Sequence, residues 1–246
     1  MAARRSDDEV SAKEVDRFMT LYNADWSDSM SCPASAAQKS NTYNKPDELP
    51  STEELVKLKQ YSENRLGELT KQLQMEPSYP VWRALSEAVL TRLVVFNKRR
   101  GSEPAKMLLS EYINRPDWHQ TSNKELLENL RPVEKILAKR MDLVQVPGKR
   151  NRRVPILITA EVGKAMTLLV NTRTLCGISE QNKFFFASDS ADGHLHSWLV
   201  LNNSAKAAGV SRPRLITSRS LRKYLSTLAQ VKKAKEFWQN LRDAMQ

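Results

Sequence analysis

The sequence predicts a mostly α protein with one small β-sheet, an α+β fold. Three observations carry this. Apolar residues recur at helical spacing along most of the 246 residues. That period changes between Leu143 and Ile158, where two strand-like stretches flank a turn. Charged residues make up 27% and there are only 7 glycines, the balance of a helix-rich globular chain.

The elements follow in order. Val15, Phe18, Met19, Tyr22 and Trp26 form one apolar face of a first helix, Ser11 to Trp26, expected to pack on its own neighbours. Ser27 to Pro50 is rich in Ser, Asn and Pro and reads as a loop with at most one short helix. Ser51, with Glu54 three residues on, opens a helix that runs to about Gln74. Pro77 and Pro80 punctuate the chain. Trp82, Leu85, Ala88, Val89, Leu93 and Phe96 then predict a buried helix, with Gly101 as its C-terminal stop. Ser102 and Pro104 open a helix to about Asn114, and another spans Asn123 to Met141. Leu143–Val146 and Arg153–Ile158 read as two strands turning through Pro147–Asn151. Thr159 caps a helix to about Leu175, and Phe184–Phe186 is a short strand candidate. Helices follow near His196–Ala208 and Thr217–Gln230, and Val231–Gln246 is basic, amphipathic and helical. The domains expected are a helical one over 1–75 and a larger one over 76–246.

Charge separates the two ends. Up to Pro80 there are 10 Lys and Arg against 14 Asp and Glu; from Val81 there are 29 against 14. An acidic leader before a basic body fits a nucleic-acid partner, although a solvated basic surface has the same composition. Cys32 and Cys176 stand far apart, which argues against a disulfide framework or a zinc site. His194-x-His196 has only His119 as a further histidine, so no metal is expected, and no other cofactor. No apolar run reaches the roughly 18 residues that a membrane span needs. The N-terminus has no signal-peptide core, so the expected compartment is the nucleus, with the cytoplasm as alternative.

Three basic clusters lie in the basic region: Lys98-Arg99-Arg100-Gly101-Ser102-Glu103, Gly148-Lys149-Arg150-Asn151-Arg152-Arg153, and Arg219-Ser220-Leu221-Arg222-Lys223. Taken singly, each has an ordinary reading: cations at a helix end, a solubilising hairpin tip, a solvated helical face. Their order gives them a second one. The chain resembles the tyrosine recombinase (phage integrase) superfamily, and within it the transposon-derived recombinase-like proteins of animal genomes. That family carries Arg-x-x-Glu after a buried helix, matched by Arg100-Gly101-Ser102-Glu103, with Arg99 as the neighbouring register. Its hairpin, Gly-Lys-x-x-x-Arg-x-x-Pro, is close to Gly148–Pro155. Its helix beginning His-x-Leu-Arg is matched by Arg219-Ser220-Leu221-Arg222, with arginine in place of histidine.

The resemblance covers about Tyr79 to Gln230 and, more loosely, the N-terminal helices, which fit the family's core-binding domain. It implies an incomplete recombinase catalytic domain with Arg100, Lys149 and Arg222 as catalytic residues. Arg99, Arg150, Arg152, Arg153, Arg219 and Lys223 would be DNA contacts. The implied activity is DNA breaking and rejoining, in DNA recombination or integration, on double-stranded DNA. A second copy or a full-length family member would be a further partner. In such a site a tyrosine attacks the phosphodiester. Paired arginines clamp the non-bridging oxygens, and a lysine protonates the departing sugar oxygen. Arg219 binds phosphate but cannot transfer protons in place of histidine. After Arg222 the sequence offers only Tyr224, about 200° around the helix from Arg222. The expectation is therefore a C-terminally truncated relative that lacks the nucleophilic tyrosine and is inactive alone. The alternative is a domesticated, non-catalytic DNA- or chromatin-binding or protein-interaction module.

Overall fold

The structure is a computed structural model that describes residues 9–43, 48–115, 141–148, 150 and 152–244; within these, the side chains at 9, 27, 39, 41–43 and 234–244 lie outside the description. The chain forms two compact units, Met1–Glu48 and Leu49–Gln246.

The first unit is one helical run. Helix α1, Glu9–Trp26, passes through a π-helical turn, Ser27–Ser31, into α2, Cys32–Tyr43. The loop expected after Trp26 is therefore largely helix: Ala34, Ala36 and Ala37 favour it, and the hydrogen-bond ladder widens to the π turn just before Pro33, which has no N–H to give. The apolar face of α1 was expected to be packed, yet Phe18, Tyr22 and Trp26 are exposed and stack on one another along the helix.

The second unit begins with the reciprocal cap read from the sequence. Ser51 Oγ accepts the Glu54 N–H, and the Glu54 carboxylate accepts the Ser51 N–H. Helix α3, Thr52–Met75, follows and buries Leu58, Leu66, Leu69 and Leu73 against α4, Tyr79–Asn97. Helix α4 is the centre of the unit. Its Leu85, Val89, Leu90 and Leu93 are almost fully buried, and the Trp82 indole N–H donates to the Leu169 carbonyl at 2.9 Å, so the ring is buried without an orphaned donor. Phe96, expected in the core, is half-exposed at the helix end. The stop is not Gly101: Lys98 takes the left-handed conformation (φ 49°) and closes α4 through its N–H to the Val94 carbonyl.

The helix expected over 102–114 is two short ones, α5 (Ser102–Ala105) and α6 (Leu109–Ile113). Between them Met107 and Leu108 are extended, and the Phe185 N–H donates to the Met107 carbonyl and the Leu109 N–H to the Lys183 carbonyl. Pairing with that distant loop wins over the helical pattern. The helix expected from Asn123 lies outside the described residues up to 140; Met141, its expected end, is instead the first residue of a strand.

Strands β1, Met141–Pro147, and β2, Arg153–Thr159, pair antiparallel, with Val144 opposite Ile156 and Pro147 opposite Arg153. The two strands are those read from the sequence, and Val144, Val146, Ile156 and Ile158 turn inward. Thr159 precedes α7, Ala160–Asn171, but its hydroxyl is buried and accepts no cap bond. Helix α7 ends at Asn171, short of Leu175. The buried Arg173 guanidinium then holds the following loop by donating to the carbonyls of Asn182, Phe184 and Phe185. Phe185 and Phe186 fill the core rather than forming a strand; Phe184 makes one isolated bridge, to Leu108. Helix α8, Ser197–Ala207, a 3-10 turn Pro213–Leu215, and α9, Ser218–Ala244, complete the unit. Among the described residues no helix is long and apolar enough to cross a membrane. The fold is mostly helical with one two-stranded sheet, as the sequence predicts.

Candidate nucleic-acid interface

The Arg-x-x-Glu tetrad forms a tight structural knot. Glu103 is nearly buried and its carboxylate accepts the Arg100 backbone N–H at 3.2 Å and the Arg100 guanidinium at 3.4 Å. In return the Glu103 N–H donates to the Arg100 carbonyl at 3.0 Å. Only the carboxylate half of a capping box is present: the Glu103 side chain reaches back to the N–H three residues before it, while the Arg100 side chain donates and has no atom that accepts. That half fixes the start of the Arg100 side chain while leaving that side chain 47% exposed. The junction is also tied to the sheet. The Asn97 side-chain amide donates to the Leu157 carbonyl at 2.9 Å and accepts the Leu157 N–H at 2.8 Å, so the end of α4 grips β2.

Two glycines show what approaches this knot. A Cβ on Gly101 would run into the Ser197 side chain and come within 3.6 Å of Ser218 Cβ. Gly101 therefore lies where α8 and α9 both begin. A Cβ on Gly148 would collide with Val154 and stand 3.6 Å from Glu103 Oε1. The turn end of the β-hairpin thus faces the same carboxylate that holds Arg100. Gly148 closes that hairpin by donating its N–H to the Arg152 carbonyl at 2.7 Å. The three segments carrying the basic motifs are in this way brought to one place. Glu103 joins the first to the second, and Gly101 joins the first to the third.

The structure places the site residues unequally. Arg99 and Arg100 are exposed on the α4–α5 link. Arg150, in the left-handed region (φ 60°), and Arg152 and Arg153 are exposed around the hairpin turn. Lys149 lies outside the described residues. Arg219 is exposed in the first turn of α9, and Arg222 is half-buried, its Nε–H donating to the Ser218 carbonyl at 3.2 Å. Lys223 is half-buried beside it. That first turn is capped reciprocally: the Ser220 N–H donates to Thr217 Oγ1, and the Thr217 N–H to Ser220 Oγ. Such a cap leaves Arg219 and Arg222 near the positive end of the helix dipole, where an anion is favoured.

Tyr224 is engaged elsewhere. Its hydroxyl meets Thr52 Oγ1 at 2.7 Å, pinning α9 to the start of α3. The same end of α3 receives Arg212, whose N–H donates to Glu54 at 3.1 Å. Burial pushes the Glu54 carboxyl up, but the Ser51 N–H and the Arg212 guanidinium and N–H outweigh it and hold the group below its ordinary value. Burial alone pulls the Lys98 ammonium down, beside the arginines of the first cluster.

Sequence reasoning missed two features of the site. Glu103 is its hub, a role that could have been found by reading Arg-x-x-Glu as a capping spacing. The contribution of Ser197 and the start of α8 had no such signal, because the contact depends on Gly101 lacking a side chain. Among the described residues no group of three His, Cys, Asp or Glu is placed to hold a metal ion.

No family model matches the chain, and no curated protein matches it. A solved structure similar to it is that of the XerH site-specific recombinase bound to palindromic difH substrate, in a post-cleavage complex, at 16% identity and a TM-score of 0.47. The likeness covers 78% of this chain and 44% of that one, so the chain spans less than half of that protein's length.

Proposed function

We propose that the chain is a duplex-DNA-binding protein of the DNA recombination and integration class. Its basic unit would grip a backbone phosphate with Arg100, Lys149 and Arg222, as the resemblance to tyrosine recombinases implies. Arg99, Arg150, Arg152, Arg153, Arg219 and Lys223 would contact flanking phosphates. The observation that carries this reading is the convergence of the three motif segments on Glu103 and Gly101. Three exposed surface clusters without a common function have no reason to meet there. An anion at that place would meet guanidinium groups able to form paired, charge-assisted hydrogen bonds. The proposed compartment is the nucleus.

Chemistry is a separate matter. The proposed site has charge stabilisation but no nucleophile of its own, since Tyr224 is held by Thr52. The chain would therefore bind DNA without cutting it.

Fluorescence anisotropy on a labelled duplex tests the binding. If about four to six phosphates are neutralised, log K falls against log salt with a slope near −4 to −5. Replacing Arg150, Lys149, Arg152 and Arg153 together by alanine should lower affinity strongly and shrink the slope. The circular dichroism spectrum should be unchanged, because exposed charges contribute little to stability. No binding at low salt would reject the function. Unchanged affinity in the folded quadruple variant would remove the hairpin from the interface.

A further inference from the structure

Of the three tryptophans whose side chains the structure describes, two are engaged. Trp82 is buried and hydrogen-bonded, and Trp26 stacks on Tyr22. Trp198, the second residue of α8, is 70% exposed. Among the described residues its ring has no stacking partner and its N–H no acceptor. Its position explains an indole left in water. A Cβ on Gly101 would meet the side chains of both Ser197 and Ser218, so three backbone segments come together there. Arg100, Trp198 and Arg219 each stand one residue along the chain from that meeting place, and all three are exposed. Ser197 is turned toward Gly101, so Trp198, about 100° around α8 from it, points beside the meeting place rather than into it. Consecutive Cα atoms are about 3.8 Å apart, which puts the indole and the two guanidinium groups on one patch of surface, with Arg99 at its edge.

We infer that Trp198 is a stacking platform for an unpaired base, so that the DNA preferred by this site has one base out of the stack beside the gripped phosphate. The inference rests on the DNA-binding reading and narrows its substrate. The neighbours of the indole select the occupant. Guanidinium groups on both sides attract an anion, and aromatic rings set among cations are the composition that binds nucleic-acid strands through stacking. Paired bases hide their faces in the helix stack and offer only edges to the grooves. The face of an indole therefore gains full contact only from a base that has left the stack. A peptide partner would find cations here as well, but nothing in the patch is shaped for backbone pairing, since α8 and α9 satisfy their own hydrogen bonds.

The experiment titrates the full chain, by fluorescence anisotropy at one salt concentration, into three labelled duplexes of otherwise identical sequence. One is fully paired, one carries a single extra unpaired adenine, and one carries an abasic residue in place of that adenine. The adenine bulge should bind about tenfold tighter than the paired duplex, and the abasic bulge no more than about twofold tighter, because only the former offers a ring to stack. Trp198→Ala should abolish the preference. Its circular dichroism spectrum should be unchanged, because the side chain is exposed. Trp198→Phe should keep most of the preference, and Trp198→Leu, apolar but without a flat ring, should lose it. A wild type that binds none of the three duplexes rejects the DNA-binding reading and this inference with it. A wild type that binds the paired and adenine-bulged duplexes equally overturns the inference alone and leaves the indole to a protein partner. A preference equally strong for the abasic bulge, or one that survives Trp198→Ala, also overturns it, since a flexible backbone rather than a base would then be recognised.

Discussion

At the residue scale, the arrangement depends on two places where a side chain is missing. Gly101 lets the α4–α5 link touch the starts of α8 and α9, and Gly148 lets the turn end of the hairpin reach Glu103. Gly101→Ala would force the new methyl into Ser197, whose Cβ stands 3.0 Å from its position. The expected cost is about 1–3 kcal/mol by urea unfolding, the usual range for overpacking, together with weakened DNA binding as Arg100 shifts. Gly67 is the control. It lies inside α3 with nothing within 4 Å of an added Cβ. Gly67→Ala should therefore stabilise the protein by about 0.5–1 kcal/mol and leave DNA binding alone. Equal effects at the two positions would mean that Gly101 is not a contact point. The sequence displayed Gly101 plainly and still suggested the wrong role for it. A glycine after a run of helical residues reads as a C-terminal stop, yet Lys98 takes the left-handed turn. Which residue bears that conformation depends on what packs nearby, and no local pattern carries it.

At the scale of elements, the parts legible in the sequence are those whose pattern and surroundings agree. The Ser51–Glu54 cap, the two strands around the Pro147–Asn151 turn, and the buried stripe of α4 are set by residues close together in the chain. Where a distant partner decides, the pattern misleads. The 102–114 segment has helical periodicity but breaks at Met107, because its backbone bonds to the 183–185 loop. The same long-range logic makes Glu54 more than a cap: one carboxylate serves the α3 N-terminus and the Arg212 loop. Its pKa is lowered on folding, so the unfolded chain binds the proton more readily. The stability it supplies is therefore complete above the usual carboxylate range and is lost as pH falls through its lowered value. Glu54→Gln should cost about 1–3 kcal/mol at neutral pH, because one amide oxygen cannot accept every bond the carboxylate accepts. The variant's stability should then fall less steeply than the wild type's as the solution is acidified below that range. Thermal unfolding followed by circular dichroism across that acid range measures both effects. An unchanged acid slope would show that other carboxylates govern acid unfolding.

At the scale of the molecule, what matters is whether a cleaving nucleophile can join the three basic segments. The candidate site's order along the chain was readable from sequence, but its assembly was not. The contacts through Glu103 and Gly101 join segments separated by more than forty residues, a separation over which no periodicity extends. Three of the tyrosines are similarly opaque to sequence and have hydroxyl partners in the structure. Tyr112 directs its hydroxyl to the Gly163 carbonyl and Thr167, Tyr79 accepts from Arg83, and Tyr224 meets Thr52. For Tyr224 to attack a phosphate gripped by Arg222, it would have to leave Thr52, and α9 itself would have to turn or unwind, since the two positions lie about 160° apart around the helix. Loss of one oxyanion-type contact costs about 2.7–4 kcal/mol, and charge stabilisation of that kind cleaves nothing unless a nucleophile is in line with the phosphate. The purified chain should accordingly leave a nicked suicide duplex intact while still retarding it on a native gel. A denaturing gel reads the difference, because a tyrosyl-phosphate adduct survives as a shifted band. A band lost in Tyr224→Phe would mean that α9 rearranges on DNA and that the Thr52 contact is a resting state. A band that persists in Tyr224→Phe would assign the attack to another of the six tyrosines. A band formed only after mixing with a longer recombinase would mean that the nucleophile arrives from a second chain. Retardation without any band is the outcome expected of the non-cleaving reading.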